Sequence, residues 1–203
     1  MKATAVFALL GAALVSAQET TQSSPFYLKY VPRSEPSCKG TYLASCHSGA
    51  GQAGLCPERS TNGSAQTHSE YFWNMTTSSS QPTLGPLIWN LPIGNGDPVP
   101  TTLDLQLQLV SNGAIPIFSP GTTGIYSFGF DDDDDELFIY IRQDDSKAVP
   151  DKVNYTAEKY YRWHVCWTFV GNYYYQALVW VTGGAPVNPT CQEVRVFREE
   201  VSK

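Results

Sequence analysis

The sequence is short of positive charge, histidine and methionine. Its 203 residues carry 13 Lys and Arg against 19 Asp and Glu, with 3 His and 2 Met. A net charge of −6 offers no basic face to phosphate backbones, so nucleic acid is not an expected partner. His47, His68 and His164 lie far apart without H-x-x-x-H spacing, and no C-x-x-C pair accompanies them, so no zinc motif is present. A G-x-S-x-G nucleophile elbow is missing. Glycoside hydrolysis needs two carboxylates facing across a cleft, whereas Glu70, Asp104, Glu136 and Glu193 are scattered over separate segments. Beyond residue 17 no apolar run reaches the roughly 18 residues of a membrane helix, so no membrane association is expected. No stretch repeats its apolar residues with a helical period.

What is present begins with a compartment signal. Lys2 precedes the apolar stretch ATAVFALLGAALV, which ends in the small residues of Val15-Ser16-Ala17. This pattern reads as a signal peptide over residues 1–17, leaving 18–203 as one secreted, extracellular domain. Asn62, Asn74 and Asn154 open acceptable glycosylation sequons, while Pro189 disqualifies Asn188. Five cysteines are available: Cys38, Cys46, Cys56, Cys166 and Cys191. Sequence leaves their connectivity open, but an oxidising compartment favours pairing. The expected bridges are Cys46–Cys56, closing the Gly-rich loop CHSGAGQAGLC, and Cys166–Cys191. Closing the first loop contributes about 2–3 kcal/mol by restricting the unfolded chain. Cys38 is then a free thiol, an exchange partner for Cys46, or the link in a disulfide-bonded dimer.

Period two dominates the rest. In TLDLQLQLV, Leu103, Leu105, Leu107 and Leu109 share one face, and Asp104, Gln106 and Gln108 the other. Asn112-Gly113 follows as a hairpin-turn signal, and Pro116 in the returning run marks an edge or a bulge. About ten such segments, separated by Gly, Pro, Ser and Asn, read as an all-β, single-domain antiparallel β-sandwich, jelly-roll or lectin-like.

The C-terminal hairpin is legible in more detail. YYRWHVCWTFV and YYYQALVWV flank Gly171-Asn172, a two-residue type II′ turn that fixes the register. Phe169 then faces Tyr174, Trp167 faces Gln176, Val165 faces Leu178 and Trp163 faces Trp180. That apolar face, with its three Trp residues, is assigned to the core. The opposite face carries Arg162, His164, Cys166 and Thr168 against Val181, Val179, Ala177 and Tyr175. Arg162, His164, Tyr173 and Tyr175 on that side form a candidate ligand-binding groove, because Tyr offers sugar rings and protein partners a flat face with a polar handle.

The run FDDDDDEL (Phe130–Leu137) lacks the alternating ligands and the turn glycine of a calcium loop. It reads first as a solvated hairpin tip that keeps aromatic strands from pairing with other chains. Asp131, Asp133 and Asp135, helped by Asp144 and Asp145, form a candidate weak calcium site, and no other cofactor is expected.

Two segments resemble a known group. RWHVCWTFVGNYYYQALVWVTGGAPVNPTCQEVRV follows the pattern W-x-V-C, aromatic hairpin, L-x-W-V-x-G, N-P-x-C and an alternating Val strand. It is similar to the C-terminal stretch of a group of small fungal secreted proteins. GTYLASCHSGAGQAGLC resembles the N-terminal segment of the same group. The resemblance implies a secreted fungal β-sandwich and carries no activity with it. The expected function is non-catalytic extracellular or cell-wall-associated binding, with glycans as the candidate ligand. The alternatives are an effector or antigen-like protein acting on a host protein partner, and an unrecognised glycan-active hydrolase.

Overall fold

The structure is a computed structural model that describes residues 20–58, 69–78, 81–125, 127–153 and 157–201. The signal-peptide segment, His68 and the sequons at Asn62 and Asn154 lie outside the described residues. The regular secondary structure of the described chain is almost entirely antiparallel strand. In order, the strands are β1 (Thr20–Gln22), β2 (Phe26–Pro32), β3 (Thr41–Gly49), β4 (Gln52–Pro57) and β5 (Tyr71–Ser78). Next come β6 (Gln81–Leu84), β7 (Leu87–Leu91), β8 (Val99–Leu107), β9 (Gly113–Ser119) and β10 (Phe128–Phe130). The last are β11 (Leu137–Ile141), β12 (Glu158–Tyr160), β13 (Trp163–Val170), β14 (Tyr173–Val181) and β15 (Gln192–Glu200). One 3-10 turn, Asp145–Lys147, is capped by the Asp144 side chain. Among the described residues no helix is long and apolar enough to cross a membrane.

Twelve strands form one sheet in the order β1-β5-β7-β8-β9-β14-β13-β15-β2-β3-β4, with β6 beside β5. Two further pairings, β5 with β2 and β9 with β4, join this sheet to itself, so that its strands face one another as the layers of a β-sandwich. The three-stranded sheet β10-β11-β12 covers the core, contributing Phe128, Phe130, Leu137 and Ile139. Trp163 and Trp180 meet there edge to face at 4.9 Å. Buried aromatic rings with polar atoms need partners. Trp163 Nε1 donates to the Leu137 carbonyl at 2.9 Å, Trp73 Nε1 to Gly85 at 3.2 Å and Tyr71 OH to Leu43 at 3.2 Å.

The expected register of the C-terminal hairpin is observed at every pair from Trp163↔Trp180 to Val170↔Tyr173. Gly171 takes φ +60°, as the first position of a type II′ turn requires. Both expected disulfides are present, Cys46–Cys56 and Cys166–Cys191, and Cys38 is free and exposed. Two such bonds belong to an oxidising, extracellular-type environment.

Several expectations are corrected. The Gly-rich loop around Cys46–Cys56 is a hairpin: β4 pairs with β3 and buries Ala53, Leu55 and Cys56. Its small residues are there for close packing, since a Cβ on Gly54 would lie 2.4 Å from Val170 Cγ1. Of the four alternating leucines only Leu103 is fully buried, while Leu107 and Leu109 run past the core into solvent. β8 and β9 pair as the expected hairpin, but neither Asn112 nor Gly113 adopts the positive φ expected at its turn. Asn112 serves a distant loop instead: its Nδ2 donates to the carbonyls of Gly183 and Ala185, and its Oδ1 accepts from Val187 N. Pro116 is on neither a bulge nor an outer edge. It sits where β9 changes partner, from β14 at Gly113 and Ala114 to β4 at Ile117 and Phe118. A residue without an N–H fits such a gap.

Candidate functional site

The four residues expected to line one groove occupy two places. Arg162 lies at the base of the hairpin, over the Tyr160 ring at 4.6 Å, and donates to the Thr182 carbonyl. His164 is 9% exposed, and its Nδ1 contacts the Arg162 carbonyl at 3.2 Å. Tyr173 and Tyr175 stack on each other at 5.9 Å near the tip, where His47 meets Tyr173 edge to face at 5.0 Å. Between the two ends the face is closed. Cys166, Val170, Ala177 and Val179 pack with Ile115, Ile117 and Cys56 into a second apolar cluster, flanked by Cys46, Tyr175 and Cys191. The four residues therefore do not line one groove, because residues of β3, β4 and β9 pack against the middle of this side of the hairpin.

The opposite face behaves in the converse way. Its base is core, but its distal half extends beyond the sandwich. Trp167 is 40% exposed, Phe169 57% and Tyr174 55%, so assigning all of this face to the core is corrected. Phe169 and Tyr174 are cross-strand partners with rings 5.2 Å apart, and Trp167 stacks on Tyr174 at 5.7 Å. Gln176 is the partner of Trp167 and shares this face, as antiparallel pairing requires. The result is a tile of three rings and one amide, all uncharged.

The tile is held rigidly. Strand β15 pairs with β13 only at His164 and Val165. Past that point the 182–191 loop takes over. Trp167 N donates to Thr190 Oγ1 at 3.0 Å, and Asn188 Nδ2 donates to the Trp167 carbonyl at 2.9 Å. The Cys166–Cys191 disulfide fastens this loop beside Trp167, and Asn112 clamps its other end. At the tip, Gly171 presses on β3: an added Cβ would lie 2.0 Å from the Ser48 carbonyl oxygen. Exposed apolar rings grouped on a fixed support differ from singly scattered ones and mark a contact surface.

The acidic run is the β10–β11 hairpin loop, and only its middle is free. Asp132 and Asp133 are exposed. Glu136 is buried and accepts from Arg195 Nε at 2.8 Å and Nη2 at 2.6 Å, with Arg33 at 3.5 Å. Asp134 also binds Arg195, at 2.5 Å, and Asp135, in positive φ, binds Arg198 at 2.6 Å. Asp131 accepts from Lys159 and from Tyr161 OH. Burial pushes the Asp131 carboxyl up, but Lys159 and Tyr161 outweigh it and hold the group below its ordinary value. Tyr161 is raised by burial and by Asp131, and Arg195 by Glu136. The solvated tip is thus corrected to a loop latched on β15 and β12. Asp131 and Asp135, two of the candidate calcium ligands, are occupied by protein cations. Among the described residues no three His, Cys, Asp or Glu side chains form a metal-sized group. Of the strand carboxylates, Glu136 and Glu193 share Arg33, the latter at 2.9 Å. Asn74, the described sequon, lies on β5 with its Oδ1 accepting from Gln22 Nε2 at 2.9 Å.

Residues 23–200 match the model of a family described as a domain of unknown function, DUF7907. The chain belongs to this family. No curated protein and no solved structure matches it. The DUF7907 match spans the all-β domain of this chain. The exposed tile was missed by sequence reasoning. The available signal was that aromatic residues fill both faces of the hairpin tip, from Trp167 to Tyr175, which one core cannot cover.

Proposed function

We propose that the protein is a non-catalytic, secreted binding protein whose Trp167–Phe169–Tyr174 tile receives the faces of sugar rings in an extracellular or cell-wall glycan. The observation that carries this reading is the uncharged, near-parallel pair Trp167 and Tyr174, stacked at 25° between planes and open to solvent. Aromatic faces bind the C–H faces of neutral sugars with little dependence on charge, and Gln176 supplies an amide for a ring hydroxyl. Prior fastening of the hairpin reduces the ordering cost of binding.

The test is retention on insoluble chitin, β-1,3-glucan and cellulose, followed by titration with the matching soluble oligosaccharide. Trp167→Ala is expected to weaken retention by about tenfold or more, as hot-spot aromatics do, without lowering the thermal midpoint appreciably. Equal retention of wild type and variant would reject the tile as a glycan site. Trp and Tyr are also common anchors of protein interfaces. Capture of one host protein that soluble sugars do not displace would favour the effector-like alternative.

A further inference from the structure

A second concavity lies away from the tile, between the β5–β6 hairpin and the end of β11, with a volume of about 680 Å³. That is within the roughly 300–1,000 Å³ of small-ligand sites. Its walls belong to paired strands. Gly85 N donates to Phe128 O at 2.9 Å, joining the chain after β6 to β10, and Tyr140 N donates to Ser127 O at 2.8 Å. Leu84 and Ile141 supply apolar surface, Tyr140 a ring, and Gln81 and Gln143 two amides. The described lining carries one charge, Arg142, and no Asp or Glu. Among the described residues Arg142 has no carboxylate partner, unlike Arg33, Arg195 and Arg198. A guanidinium without a carboxylate partner among the described residues, in a groove whose described lining has none, is an anion-selecting feature.

We infer that this groove binds a sugar acid, a uronate residue whose carboxylate pairs with Arg142. The two-point fork fits carboxylate and phosphate alike, but one guanidinium balances the single charge of a carboxylate and leaves a phosphate monoester with net charge. The amides suit ring hydroxyls, and the Tyr140, Leu84 and Ile141 surface suits the C–H face of a pyranose. The site is separate from the tile and does not depend on the tile's function.

The experiment is isothermal titration of the full chain with digalacturonate, with uncharged galactobiose, and with digalacturonate in equimolar inorganic sulfate. Saturable binding of digalacturonate, little binding of galactobiose and no displacement by sulfate are expected. Arg142→Gln removes a charge-assisted pair and is expected to weaken digalacturonate by about 10- to 100-fold. Arg142 is exposed and unpaired, so the variant keeps the wild-type thermal midpoint. Trp167→Ala leaves this binding unchanged, which separates it from glycan recognition at the tile. Absence of digalacturonate binding, equal affinity for galactobiose, full displacement by sulfate, or wild-type affinity of Arg142→Gln would each overturn the inference.

Discussion

Gly171 shows how much one position can decide. It needs positive φ for the turn, and it needs no side chain because the Ser48 carbonyl stands where a Cβ would be. Gly184 has φ +66° with nothing within 4 Å of a built Cβ, so it isolates the conformational part. Gly184→Ala is expected to cost about 1 kcal/mol, the usual penalty of a left-handed alanine. Gly171→Ala carries the same strain plus a backbone clash and is expected to cost about 3 kcal/mol or more, read from denaturation midpoints. A small difference between the two would mean that the tip is not docked on β3.

At the scale of the element, the acidic hairpin is best understood as a strap from β10–β11 to β15. Burial separates its ion pairs. Glu136 has a side chain 7% exposed against 32% for Arg195, whereas Asp135 is 46% exposed beside Arg198. Removing a partner from a buried carboxylate leaves an uncompensated charge, at a cost of about 3–5 kcal/mol. Breaking an exposed pair costs about 0–1 kcal/mol. Arg195→Ala should therefore destabilise far more than Arg198→Ala in parallel urea titrations. Asp131 gives the strap its pH dependence. Its folded pKa is depressed, so its contribution is complete above the ordinary carboxylate pKa and is lost as pH falls through the lower folded value. Below about pH 4, Asp131→Asn should lose stability less steeply than wild type in acid titrations followed by tryptophan fluorescence.

Across the whole molecule, the two disulfides border the second apolar cluster, which closes the side of the hairpin opposite the main core. They span 10 and 25 residues. Loop-closure entropy then assigns about 2.7 kcal/mol to the first and about 3.5 kcal/mol to the second. Cys166→Ala/Cys191→Ala is expected to lower the thermal midpoint more than Cys46→Ala/Cys56→Ala. It should also weaken glycan retention, because it releases the loop that holds Trp167. If retention survives its loss, the loop does not position the tile.

The amino-acid sequence by itself determined the strand class and the pairing of Trp163 with Trp180 through Val170 with Tyr173, while for the two disulfides it supplied an expectation that the structure met. These depend on alternation, a two-residue turn and the local reach of the chain, all of which act over short separations. It did not determine which half of an apolar face is covered. Trp167 and Phe169 continue the same alternation as Trp163 and Val165, yet one pair is exposed and the other buried. Nor did alternation tell a Gly-rich loop from β4, or show that Asp131, Asp134, Asp135 and Glu136 have cations waiting on β12 and β15. Those outcomes depend on how far the layers extend and on contacts between residues distant in sequence. Only the closure of the sheet through β5–β2 and β9–β4 sets them.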